Sequence, residues 1–227
     1  MRYFIIFLLL SVTLSLFCSN PIAVISGMKG EISIIRGEEQ LTAKTGDLLF
    51  DADEIVSGIE SFASIRFVDN GATAKLFPNS ILIVQGYVVD GKLSKKSSVE
   101  KGRFLSKVNI NSGQYMVETP NTVASVKGTE FLVGYDNFMT NVIVRSGEVD
   151  IENKITGDTV TATSDQGYSI DENGQQEELS IDDIEEIDDD FGNEEVQESF
   201  IERKTFEVEI RDAAGNIKKV RITYEQD

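Results

Sequence analysis

Ala63-Ser64-Ile65-Arg66-Phe67-Val68-Asp69-Asn70-Gly71-Ala72-Thr73-Ala74-Lys75-Leu76-Phe77 decides the fold. Residues 63–67 alternate apolar with polar, the period of a strand with one buried and one wet face. Asp69-Asn70-Gly71 then separates two strand-like runs, and Asn-Gly is the strongest short-range hairpin signal because both residues tolerate positive φ. Outward from this hairpin, from Ile22 to about Ile170, the same pattern continues. Glu31–Ile34 and Glu148–Glu152 alternate, whereas Ile81–Val84 and Asn141–Val144 are continuous apolar runs suited to strands covered on both faces. Asp90-Gly91, Ser146-Gly147 and Asn173-Gly174 mark further turns. Pro78 and Pro120 fall at strand margins, where a missing N–H does least harm. The expected fold is all-β, a twisted β-sandwich or β-solenoid-like domain over 21–174. A faint repetition opens strands at Gly30-Glu31-Ile32, Gly102-Arg103-Phe104, Gly113-Gln114-Tyr115 and Gly147-Glu148-Val149, which hints at stacked β-turns.

After Gly174 the composition changes. Residues 175–202 hold thirteen Asp or Glu and no Lys or Arg, and read as an acidic linker with a short helix. Ile181, Ile184, Ile187 and Phe191 recur at helical spacing and draw an apolar stripe. Ser180 with Asp183 forms a capping box, and Gly192 is a stop signal. The stripe either docks into a partner's groove or rests on the chain's own β-domain. Residues 203–227 alternate around Ala214-Gly215-Asn216 and predict a second hairpin, which needs something to cover its apolar face.

The N-terminus sets the compartment. Met1-Arg2 precedes Tyr3–Cys18, apolar but for Ser and Thr, the charged and apolar regions of a secretory signal. The run falls short of the ~20 residues of a membrane span. It reads as a signal peptide over 1–20, cleaved between Cys18 and Ala23. The alternatives are an uncleaved anchor or lipid attachment at Cys18, where Phe17 and Leu14 depart from the usual lipoprotein spacing. Membrane contact is expected only through such an anchor, and the location is the periplasm or cell envelope.

Composition narrows the chemistry. The sequence has no His, no Trp and a single Cys, so Ser-His-Asp catalysis, His-built zinc sites and disulfides are unavailable to it. A net charge of -18 argues against nucleic acid, which requires gathered basic residues. Asp188–Glu194 clusters carboxylates without the alternating ligands and closing Glu of an EF-hand. No catalytic residue, metal or cofactor is expected.

The most informative strings are TPNTVASVKGTEFLV, Thr119–Val133, and TNVIVRSGEVDIEN, Thr140–Asn153. They resemble the signature of FecR-domain proteins at Thr119, Pro120, Val126, Gly128, Thr129, Phe131, Gly147, Glu148 and Val149, with Lys127 where that family usually has Arg. Gly30–Ile32, residues 46–58 and Leu76–Ser80 run in the family's order, so the resemblance covers roughly 24–170. It implies an extracytoplasmic β-fold whose motif is mainly structural. The best-known relatives couple an iron-siderophore receptor to a sigma factor. Their sigma-binding segment before the apolar run and their C-terminal receptor-contacting domain are not recognisable here, so the resemblance implies the shared β-domain rather than direct sigma-factor control. The expected partner is another envelope protein, with a surface polysaccharide or peptidoglycan as one alternative and a role in sigma-factor or iron-uptake signalling as another.

Overall fold

Strand β9, Lys92–Val108, belongs to two sheets at once, and the architecture follows from it. The computed structural model describes residues 20–89, 91–110, 112–192, 202–211 and 217–226. Residues 1–19, which hold the expected signal peptide and Cys18, lie outside them. The N-terminal half of β9 pairs antiparallel with β8 (Ile81–Val89) and parallel with β10 (Tyr115–Glu118). Its C-terminal half pairs with β7 (Ala72–Leu76) and β12 (Glu130–Asp136). One sheet runs in order β3 (Glu39–Thr42), β2 (Ile32–Arg36), β5 (Asp53–Ser57), β8, β9, β10, β11 (Thr122–Val126), β14 (Glu148–Asn153), β15 (Thr159–Thr163). The other runs β4 (Leu48–Leu49), β1 (Ala23–Lys29), β6 (Phe62–Phe67), β7, β9, β12, β13 (Met139–Ser146), β16 (Gln166–Ile170), β17 (Gln176–Glu178). The all-β expectation is met as two layers enclosing one core, a sandwich joined through a common strand.

The inner faces supply that core. Phe67, Phe104, Tyr115 and Phe131 are fully buried, with Phe67 edge-on to Tyr115 at 5.5 Å and Phe104 edge-on to Phe131 at 6.1 Å between ring centres. Such pairs add ~1 kcal/mol beyond area burial. Each passage of the chain from one layer to the other contains a residue with positive φ: Gly30, Gly46, Ala52, Glu60, Asn79, Gly102, Gly113, Gly128, Gly147 and Asp165. The four glycines of the sequence repetition are thus layer crossings, and the repetition marks corners of a sandwich rather than rungs of a solenoid. Gly102 has φ 85°, and a Cβ there would lie 2.6 Å from the Ser80 Cα and overlap its side chain. Position 102 therefore admits no larger residue without displacement.

The hairpin at Asn70-Gly71 forms with a longer turn than a two-residue link. Its last ladder pair is Arg66–Thr73, and Asn70 alone takes positive φ, 55°. The reason is local: Asp69 Oδ1 accepts the Gly71 N–H at 2.8 Å. Gly71 is needed for space, since a Cβ would come within 2.5 Å of Ser112 Cβ.

Helix α1, Ile181–Gly192, follows β17. Its capping box is formed: the Asp183 carboxylate accepts the Ser180 N–H at 3.0 Å, and Ser180 Oγ accepts the Asp183 N–H at 3.2 Å. Hairpin β18 (Glu202–Arg211) and β19 (Ile217–Gln226) pairs in register, Phe206 opposite Ile222. Among the described residues, no helix is long and apolar enough to cross a membrane.

Candidate functional site

The sequence-matched residues separate to opposite ends of the sandwich. Val126-Lys127-Gly128-Thr129 turns from β11 into β12 at the end where the chain enters the fold, here called the proximal end. Ser146-Gly147-Glu148 turns from β13 into β14 beside it. The two corners are stitched together by the Thr129 hydroxyl, which donates to the Glu148 carbonyl at 2.8 Å. A Cβ on Gly147 would sit 2.8 Å from the Gly128 carbonyl oxygen. Val126, Phe131 and Val149 are in the core, and Lys127 points outward. These positions hold the backbone of two adjacent corners.

Thr119-Pro120 lies at the distal end, in the turn between β10 and β11, and the residue after it organises the surroundings. Asn121, 4% exposed, donates through Nδ2 to the carbonyls of Ile170 at 2.9 Å, Asp171 at 3.1 Å and Phe138 at 3.4 Å. Its Oδ1 accepts from the hydroxyls of Thr119 at 3.0 Å, Thr122 at 3.2 Å and Thr140. Asn153 repeats the device, donating to Gly174 O at 2.9 Å while its Oδ1 accepts the N–H groups of Ile155 and Thr156. Lys154 closes the set, its N–H donating to Asn121 O at 2.9 Å and its Nζ to Thr119 O at 3.0 Å. Four turns from both sheets are thereby fixed to one another. They present Phe138, Met139 and Ile155, exposed at 64%, 43% and 49%. Sequence reading passed over Asn121, Thr140 and Asn153; the one available signal was Asn at the second position of a Pro-initiated turn.

Ionisable groups that fold inward are engaged with the protein itself. Lys95 is fully buried, and its Nζ donates to Asp69 Oδ2 at 2.6 Å, Ser112 O at 2.5 Å and Leu93 O at 3.1 Å, which uses all three protons. Arg36 grips the buried Asp53 with two bonds of 2.8 and 2.7 Å and stacks 4.5 Å from the Phe50 ring centre. The carboxylate holds the Arg36 guanidinium pKa above its usual value. Burial pushes the Tyr115 phenol up to about 12, partly offset by hydrogen bonds with Ser97 and Ser106. No group of His, Cys, Asp or Glu among the described residues is placed to hold a metal ion.

The acidic segment divides. β17 completes the second sheet. Ile184 and Ile187 of α1 pack with Leu105 and Leu179 over Phe77, Leu132 and Ile143 on that sheet's outer face. Of the apolar stripe, Ile181 stays 73% exposed, and the Phe191 side chain lies outside the described residues.

Residues 53–150 match the family described as FecR protein. That stretch, a little under half of the chain, is similar to a FecR domain. The matched span runs from β5 to the start of β14 and includes both motif corners and the Asn121 turn. Two crystal structures of a protein from Parabacteroides distasonis described as an anti-sigma factor align with it at 17% identity, covering 56% of this chain and 59% of that chain, with TM-scores of 0.48 and 0.49. This chain therefore spans less than two thirds of their length. No curated protein matches the sequence.

Proposed function

We propose that this FecR-like chain is a non-catalytic extracytoplasmic binding or scaffolding module that holds another envelope protein at its distal end. The observation that carries the reading is the turn between β12 and β13. Asn137 and Phe138 both take positive φ, 48° and 64°, the conformation of a two-residue hairpin that Asn-Gly would satisfy without strain. An aromatic residue there costs conformational energy, and such strain persists where the surroundings over-determine the backbone. The Phe138 ring is nevertheless exposed, so packing within the chain does not account for it. Met139 and Ile155 extend the apolar area, and exposed Asp136, Asp158 and Glu172 rim it, which suits an apolar pocket with a basic margin. The turns are already rigid, so little ordering entropy opposes binding. Engagement of Lys95, Asp53 and Tyr115 within the core supports a binding role over catalysis.

The test is affinity capture of envelope proteins on the full chain beside a Phe138→Ser variant. Replacing a central aromatic anchor costs ~2 kcal/mol or more, so the variant's affinity for the captured protein falls about thirtyfold while its thermal transition stays unchanged. Equal capture by both chains would sink the reading. Sedimentation with purified peptidoglycan that Phe138→Ser abolishes would move the site to a glycan instead.

A further inference from the structure

The proximal end carries a projecting hairpin that the core does not use. β8 and β9 are covered as far as Gly86 and Leu93; beyond them Tyr87, Val88 and Val89 are exposed at 59%, 39% and 48%, with exposed Lys92 across the ladder. The base of this tip touches the first residues of the fold. A Cβ on Gly86 would lie 3.2 Å from both Ile22 Cγ2 and Leu93 Cδ1, and Ile22 is fixed by its N–H to Leu49 O at 2.8 Å and by the Val68 N–H at 3.0 Å.

Ile22 follows Cys18 by four residues, which reach at most about 14 Å when fully extended. Any attachment to a bilayer, through the apolar run Tyr3–Cys18 or a lipid on Cys18, therefore brings the proximal end within that distance of it. The three exposed tip residues extend about 10 Å beyond Gly86 at strand rise, comparable with the tether. Tyr prefers the membrane–water interface, the valines the boundary of the acyl chains, and a lysine the headgroup level. The net charge of -18 opposes attraction to anionic headgroups, which leaves apolar burial as the driving term.

We infer that the β8–β9 tip, Tyr87-Val88-Val89, is a lipid-surface contact that seats the domain on the membrane to which its N-terminus is tethered. The inference rests on retention of that tether, which Cys18→Ser fractionation tests separately. The sequence contains no Trp, so a single introduced Trp reports its own surroundings. The full chain with its leader, as Tyr87→Trp or as Phe138→Trp, is reconstituted into phosphatidylcholine vesicles with and without brominated acyl chains. Emission of the Tyr87→Trp chain is expected at shorter wavelength, quenched severalfold more by the brominated lipid than that of Phe138→Trp, and insensitive to salt. Equal, weak quenching of the two chains would overturn the inference while leaving the tether intact. A blue shift that needs no lipid and grows with protein concentration would overturn it in favour of contact between copies. Failure of both chains to associate with vesicles would remove the tether and the inference together.

Discussion

Asn121 carries more of the distal architecture than any residue of the motif that precedes it. Removing its side chain takes the acceptor from the buried hydroxyls of Thr119, Thr122 and Thr140 and the donor from the carbonyls of Phe138, Ile170 and Asp171, while the hydroxyls of Thr119 and Thr140 keep their bond to each other. Each such loss costs ~1 kcal/mol or more, so Asn121→Ala is expected to destabilise by about 3 kcal/mol in denaturant titration. This role was not legible in the sequence, since its carbonyl partners lie 17 to 50 residues away and nothing local announces them. Tyr115 gives the pH prediction. Its folded pKa is raised to about 12, above the ~10 of an unfolded tyrosine. The folded state thus holds the proton more tightly, and the corresponding stability is complete below pH ~10 and lost as pH rises through about 12. Tyr115→Phe should flatten that alkaline decline in thermal unfolding measured across the interval; an unchanged slope would assign it elsewhere.

Corners and faces, at the scale of elements, were legible to different degrees. The repeated Gly at positions 30, 102, 113 and 147 is visible in the sequence but suggests stacked β-turns there; it marks crossings because positive φ selects glycine, and Gly102→Ala is expected to cost ~2 kcal/mol or more through strain and collision with Ser80. Crossings at Ala52, Glu60 and Asp165 were invisible, because those residues reach positive φ only where tertiary contacts impose it. The continuous run at Asn141–Val144 correctly promised a strand covered on both sides: Val142 and Val144 face the core, and Ile143 faces α1. What covers the outer side could not be read, since an apolar helical stripe looks the same whether it meets its own sheet or a partner. Ile184→Asp discriminates by uncovering Phe77, Leu132 and Ile143. Increased binding of a hydrophobic dye and faster cleavage within 175–192 are expected, with the sandwich's own thermal transition retained.

Because β9 is shared, the two sheets of the whole molecule have no independent existence. Its amides at Lys95–Ser98, flanked by β8 and β10, and at Phe104–Lys107, flanked by β7 and β12, are expected to be the slowest to exchange with deuterium, opening only with global unfolding. Exchange that is faster there than in β14 would contradict this. The proximal and distal ends also lie at opposite tips of the same strands. A load applied between the Phe138 turn and Ile22 passes through β12, β9, β7, β6 and β1, whose ladder bonds run perpendicular to the pull. Those bonds would be sheared together rather than peeled open one at a time, which makes the domain a stiff mechanical coupling between whatever grips one end and whatever holds the other.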